Sequence, residues 1–158
     1  MTKAHEELLQ EFRGYATTAP NIQFLMERIA KRLHEKMTRY NWAGFYLVDP
    51  TDPNFLVVGP FAGSFTPNTR IRLTVGLCGL AATSKRVVVV QDVSKDSRYL
   101  AGSSLVKSEI VVPIFVGSKV AAELDIESYF TDTFTKQEQE FVEACGAVIA
   151  NYLRKILR

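Results

Sequence analysis

The segment EIVVPIFVGSKVAAELDIES, residues 109–128, decides the fold. It consists of two runs rich in Val and Ile, separated by the dipeptide Gly117-Ser118, which is typical of a two-residue hairpin turn. A second hairpin is predicted upstream, where the runs WAGFYLVD (42–49) and FLVVGPF (55–61) flank a turn rich in Pro and Asp. Short strands at residues 71–73 and 87–90 extend the predicted antiparallel sheet to about six strands.

Helical patterns lie at the two ends of the chain. Residues 1–40 carry two of them, the second beginning at Pro20-Asn21, and residues 135–157 carry a terminal helix. Thr135 and Glu138 have the spacing of a capping box at the start of that helix. Residues 41–128 supply the sheet and its connections. We therefore expect an α+β domain with the terminal helices on one face of the sheet. Residues 61–108 would cover the other face and enclose a ligand pocket.

Size and composition limit the classes of protein to which this chain can belong. A chain of 158 residues with 47% hydrophobic and 23% charged residues is predicted to form one globular domain. Its net charge of +2 is scattered, which argues against nucleic-acid binding. No apolar run has the length of a membrane span or signal peptide, so we expect a cytoplasmic protein. Cys78 and Cys145 show no metal-site spacing, and the sequence predicts neither a metal nor a cofactor.

Three acids lie on one face of the second strand of the 109–128 hairpin. Side chains two residues apart share a strand face, so Glu123, Asp125 and Glu127 point the same way. Two interpretations are open at this point. The acids form either a solvated sheet face or the polar floor of a pocket.

Two aromatic residues share a face of the first strand. Trp42 and Tyr46 flank Gly44 at a spacing of two, and they either pack in the core or line a pocket. If the aromatic rings and the acids face the same space, the site suits a ligand that carries an ammonium group. A free amino acid fits that description.

Five motifs resemble one known family. They are NWAGFYL (41–47), GPF (59–61), GLCG (76–79), SEIVVP (108–113) and LDIES (124–128). In this order they are similar to the free methionine-(R)-sulfoxide reductases, stand-alone GAF-domain enzymes that act on the free amino acid, and the resemblance covers nearly the whole chain. It implies a homodimer whose pocket is lined by Trp42 and Tyr46. It also implies that Glu109, Asp125 and Glu127 hold the polar end of the ligand, although the family usually has Asp at the last position.

The sequence departs from this family at its reactive cysteines. Counting back from the SEIVVP and GLCG motifs places Gly102 at the family's attacking cysteine and Asn68 at its usual resolving cysteine. The retained cysteine is Cys78. It lies close to a helix predicted to begin near Gly76, where the helix dipole would lower a thiol pKa and favour a nucleophilic thiolate. The alternative is a small apolar residue packed where the helix meets the sheet.

Three functions remain open from the sequence. The first is a GAF module that binds a small polar ligand, such as free methionine sulfoxide or another amino acid, and serves in signalling or as a carrier. The second is a free methionine-(R)-sulfoxide reductase that uses Cys78 and an external thiol. The third is a structural interaction domain. A cyclic-nucleotide site ranks lower because an acidic pocket repels phosphate.

Overall fold

The α+β prediction is confirmed by a computed structural model that describes residues 1–157. Within that range the helices are α1 (Lys3–Thr18), α2 (Ile22–Lys36), α3 (Gly76–Ser84) and α4 (Lys136–Ile156). The strands are β1 (Trp42–Val48), β2 (Phe55–Gly63), β3 (Arg70–Arg72), β4 (Val88–Val90), β5 (Ser108–Val116) and β6 (Lys119–Ser128). All neighbouring strands run antiparallel, in the order β3-β2-β1-β6-β5-β4.

Both predicted hairpins are present. The β5–β6 hairpin closes with Val116 opposite Lys119, and Gly117 takes a positive φ of 62° that glycine adopts without strain. In the β1–β2 hairpin, the backbone N–H of Asp49 donates to the carbonyl of Phe55 across a longer turn. Strand β6 therefore lies in the middle of the sheet, between β1 and β5.

The helices α1, α2 and α4 cover one face of the sheet, as the sequence predicts. Their apolar stripes pack against Phe45, Ile110 and Leu124 in the larger of two hydrophobic cores. Asn21 caps α2 by accepting a hydrogen bond from the N–H of Phe24 at 2.9 Å. No helix within residues 1–157 combines the length and the apolar character needed to cross a bilayer.

The predicted capping box of α4 forms only in part. The hydroxyl of Thr135 accepts from the N–H of Glu138, but the N–H of Thr135 donates to the carbonyl of Thr133 rather than to the Glu138 carboxylate. That carboxylate instead accepts from the Tyr40 hydroxyl at 3.0 Å and contacts His5. Packing of α1, and of Tyr40 in the segment before β1, against α4 has outweighed the local motif.

The second face of the sheet is covered by α3 and the long connections. Leu77, Cys78 and Ala81 of α3 pack with Trp42 and other buried residues in the smaller core. The prediction that residues 61–108 cover this face is therefore confirmed. This cover turns the polar face of β6 into an interior surface.

Candidate functional site

The acidic face of β6 is buried. The exposed fractions of Glu123, Asp125 and Glu127 are 0%, 2% and 5%. The solvated-face interpretation is wrong, because α3 and the segments beside it exclude water from this part of the sheet. Burying carboxyl groups is costly unless they are paired or protonated, which points to a specific role for them.

Strand register brings a fourth acid to the same place. Glu109 on β5 lies directly opposite Glu127 on β6, and it is 4% exposed. Residues directly opposite each other in an antiparallel pair project from the same face. On the other side of β6, Gly44 lies opposite Asp125 and presents no side chain there.

A cavity of about 20 Å³ lies above these acids, and we call it the carboxyl cavity. It is lined by the predicted residues Tyr46, Cys78, Glu109, Asp125 and Glu127. The rest of the lining consists of Ile71 on β3, Gly76 and Leu77 on α3, and Asn68, Val75, Leu100 and Gly102 in the connections. A volume of this size holds about one water molecule. The cavity in this structure therefore has room for little more than one solvent molecule.

Trp42 lies behind the carboxyl cavity rather than in its lining. Its ring stacks on Phe61 and Phe65, with centroids 5.5 Å and 6.0 Å apart, and is 6.1 Å from the ring of Tyr46. A Cβ on Gly44 would lie 2.6 Å from Cη2 of Trp42, so the indole ring occupies the space that this glycine leaves. The indole Nε1 is buried and has no hydrogen-bond partner within residues 1–157.

Hydrogen bonds join the cover of the cavity to the sheet. The hydroxyl of Tyr46 donates to the backbone carbonyl of Asn68 at 2.7 Å, and the Asn68 side-chain amide donates to the carbonyl of Ala101 at 3.3 Å. Gly102 follows directly. A Cβ built there would lie 3.7 Å from Oε1 of Glu127 and 2.9 Å from Cε2 of Phe65. A side chain at position 102 would therefore project toward the carboxyl groups.

Burial dominates the electrostatics of this cluster. It raises the pKa of Asp125 to about 6 and raises the pKa values of Glu109 and Glu127 well above the ordinary glutamate value. None of the described residues lining the cavity carries a positive charge that would offset this effect. Oδ1 of Asp125 and both carboxyl oxygens of Glu123 have no hydrogen-bond partner within the described chain. Oδ1 of Asp125 can therefore accept a hydrogen bond from a ligand or bind a cation.

Comparison with known proteins identifies the family. A family model for the GAF domain matches residues 21–153. This chain belongs to the GAF domain family. It is 34% identical over 138 residues to GAF domain-containing protein A of Dictyostelium discoideum, covering 87% of this chain and 85% of that protein.

Relatives with a reductase name are also similar to this GAF domain. The free methionine-R-sulfoxide reductase of Escherichia coli is 30% identical over 139 residues, which covers 88% of this chain and 82% of the relative. The X-ray structure of the Neisseria meningitidis enzyme of that name, in complex with its substrate, superposes with a TM-score of 0.90 at 28% identity. That superposition covers 100% of this chain and 95% of the other. The resemblance predicted from the motifs is confirmed.

Cys78 occupies the first turn of α3, and the helix predicted near Gly76 is confirmed. Of the two interpretations of Cys78, the small buried residue is favoured over the activated thiolate, because burial and the negative charges of Asp125 and Glu123 raise the pKa of this thiol well above its usual value. Desolvation outweighs the helix dipole here. Cys145 lies in the larger core, on the opposite side of the sheet, and both thiols are free.

Sequence reasoning missed part of the GAF domain's cavity wall. Val75 and Leu100 line the cavity but were not predicted, because they come from connections without a regular hydrophobic period. Conversely, Glu123 was predicted to share the face of the other acids, and it is buried there without lining the cavity. Asn68 and Gly102 were identified only as the positions where cysteines are replaced. Asn68 and Gly102 both line the cavity because the two separate connections that carry them fold over the same part of the sheet.

Proposed function

We propose that this GAF domain binds a small polar, amino-acid-like ligand in the carboxyl cavity, with free methionine-R-sulfoxide as the first candidate. The observation that carries the proposal is the set of three buried carboxyl groups around a cavity without a basic side chain, where Oδ1 of Asp125 has no hydrogen-bond partner within the described chain. The residues proposed to bind the ligand are Trp42, Tyr46, Glu109, Asp125 and Glu127.

The chemistry of the wall suits both ends of an amino acid. An ammonium group donates hydrogen bonds to carboxylates such as Asp125. A protonated glutamic acid in the wall can donate to a neutral oxygen such as that of a sulfoxide, and the free indole N–H of Trp42, which lies behind the wall, can do so once the cavity has enlarged to reach it. The N-terminus of α3, where Gly76 and Leu77 line the cavity, has no side-chain cap and offers backbone N–H groups to a carboxylate.

Ligand entry requires the cover to move. A free amino acid is far larger than one water molecule, whereas the cavity measures about 20 Å³. The hydrogen bond between Asn68 and Ala101 joins the two connections that would have to separate. Binding is therefore accompanied by opening of the segments around residues 64–69 and 97–107.

A second candidate function is free methionine-R-sulfoxide reduction through Cys78. It is favoured by the position of Cys78 in the cavity wall beside Asp125. The thiolate would attack the sulfoxide sulfur, releasing methionine and leaving a sulfenic acid that an external thiol reduces. The raised pKa of Cys78 disfavours the thiolate, and the binding function is therefore preferred.

The cellular setting belongs to the same proposal. We propose that the protein is cytoplasmic, forms the homodimer that the motif resemblance implies, and signals or carries its ligand. Light scattering on the purified chain, with and without free methionine-R-sulfoxide, tests the dimer. A monomer in both conditions contradicts this part alone.

Calorimetry and a reductase assay on the same chelator-treated protein test the function. We expect saturable binding of free methionine-R-sulfoxide and no release of methionine in the presence of dithiothreitol. Turnover that is lost in Cys78→Ser and kept in Cys145→Ser would establish the second candidate instead. No saturable binding of free methionine-R-sulfoxide or of free methionine contradicts the amino-acid pocket.

A further inference from the structure

We propose that Cys78, Glu109 and Asp125 form a binding site for one divalent transition-metal ion, with Zn²⁺ as the best match. The sulfur of Cys78 and one carboxylate oxygen from each of the two acids lie within 4.8 Å of one another, and all three residues are buried. The proposal does not depend on amino-acid binding, because it concerns the protein before that ligand enters.

The three ligands come from three separate elements. Cys78 lies on α3, Glu109 on β5 and Asp125 on β6, so no short sequence motif links them. Motifs based on the spacing of Cys and His along the chain cannot detect a site whose ligands come from separate elements. For this reason the sequence predicted no metal. The sheet and the helix above it hold the backbone on both sides of the site.

A second observation points to a ligand at this cluster. Oδ1 of Asp125 is buried and has no hydrogen-bond partner within residues 1–157, although the residue is only 2% exposed. Glu123, which lies on the same strand face, is fully buried and has both carboxyl oxygens unpartnered. Buried carboxyl oxygens are normally paired with a donor or bound to a cation.

The charges around the cluster favour a cation. Glu127 lies next to Asp125 along this strand face and opposite Glu109, and none of the described lining residues is basic. A divalent ion would neutralise two carboxylates and one thiolate with a residual charge of about −1. A hard ion such as Mg²⁺ prefers oxygen ligands throughout, whereas the sulfur of Cys78 selects a softer ion.

The geometry fits zinc after a small contraction. Bonds of about 2.3 Å to sulfur and about 2.0–2.2 Å to carboxylate oxygen place the ligand atoms of a tetrahedral site roughly 3–4 Å apart. The present separations, up to 4.8 Å, have to shorten by about 1 Å to reach that range. Three protein ligands leave a fourth position for water or for an incoming polar group.

Cobalt titration of the full chain tests the site. The protein is treated with a chelator and then titrated with Co²⁺ in the absence of any amino acid. We expect one Co²⁺ per chain and a thiolate-to-cobalt charge-transfer absorption band, both reversed by an equivalent of Zn²⁺. Calorimetry in two buffers of different ionisation enthalpy should show proton release, since the thiol must deprotonate.

Two cysteine variants give a matched comparison. Cys78→Ser should lose the charge-transfer band and weaken Zn²⁺ binding at least about tenfold, whereas Cys145→Ser should keep both. Glu109→Gln provides a second ligand variant, with circular dichroism used to verify that each protein is folded. The proposal is overturned if the wild-type chain shows no saturable Co²⁺ binding, or if the band persists in Cys78→Ser. Neither result bears on amino-acid binding, which is measured without metal.

Discussion

The side-chain amide of Asn68 and the backbone carbonyl of Ala101, the neighbour of Gly102, are joined by a hydrogen bond of 3.3 Å. This bond links the two connections that close the carboxyl cavity. The same two connections carry the positions at which the resemblance to free methionine-R-sulfoxide reductases places the resolving and attacking cysteines. In this chain a hydrogen bond therefore joins the two connections that, according to the resemblance, a disulfide would join in the related enzymes.

Restoring both cysteines should restore reductase chemistry. In Asn68→Cys/Gly102→Cys, we expect free methionine-R-sulfoxide to yield about one methionine per chain without reductant, together with a disulfide between the new residues. A thiol at position 102 would face Glu127, and the edge of the Phe65 ring has to move to admit it. Methionine release and mass spectrometry of the oxidised chain provide the measurement.

The single variant separates the two steps. Gly102→Cys should form a sulfenic acid but no disulfide, because the resolving position is still Asn68. If neither variant releases methionine, position 102 does not approach the ligand as proposed.

Two identical substitutions on β6 should have different effects on ligand binding. Glu127→Gln removes a carboxyl group from the wall of the cavity, and free methionine-R-sulfoxide should bind about tenfold more weakly, or about 1.4 kcal/mol. Glu123→Gln makes the same chemical change on the same buried face, but Glu123 does not line the cavity. In calorimetry on metal-free protein, the affinity of the Glu123→Gln control for free methionine-R-sulfoxide should lie within about twofold of that of wild type. Equal losses in both variants would show that the acids act through the fold alone.

A methyl group at Gly44 should destabilise the protein. Its Cβ would lie 2.5 Å from Cβ of Phe61 and 2.6 Å from Cη2 of Trp42, so the aromatic stack must shift. We expect the free energy of unfolding in urea to fall by about 1–3 kcal/mol. Gly14→Ala is the control, because nothing lies within 4 Å of its Cβ on α1, and it should raise stability by about 0.5–1 kcal/mol. A neutral effect of Gly44→Ala would contradict the tight packing described for Trp42.

The ion pair between Asp49 and Arg70 should give an acid-dependent contribution to stability. Hydrogen bonds from Arg70 and Thr51 lower the pKa of Asp49 from 3.8 to about 2. A lowered carboxyl pKa stabilises the folded state above the unfolded pKa, and this contribution is lost as the pH falls through the folded value. Asp49→Asn should therefore unfold at a lower temperature than wild type at pH 7, with the difference shrinking between about pH 4 and pH 2.

Asp52→Asn is the control for this ion pair. Asp52 is more exposed and lies 3.9 Å from Arg70, so its substitution should change the unfolding temperature less. A difference between wild type and Asp49→Asn that does not depend on pH would rule out the ion pair as its cause.

Local sequence alone determined the strands, the helices and the direction in which many side chains point. The Gly117-Ser118 turn and the alternation along β6 predicted a hairpin with one apolar and one acidic face, because side-chain direction follows directly from the period of a strand. Family motifs further identified the GAF domain and the acids of its pocket. The strands, the helices and the side-chain directions depend on residues that are neighbours in the chain, and the sequence shows those neighbours directly.

Tertiary structure decided what the acidic face does. Whether Asp125 is solvent-exposed or buried depends on the placement of α3. Cys78 approaches Glu109 only because segments that are distant in the chain fold over the same sheet. The thiol pKa of Cys78 rises for the same reason, since desolvation and neighbouring charges come from long-range contacts. Likewise, Glu138 contacts Tyr40 and His5 instead of completing its capping box, because packing energies between elements exceed that of one local hydrogen bond.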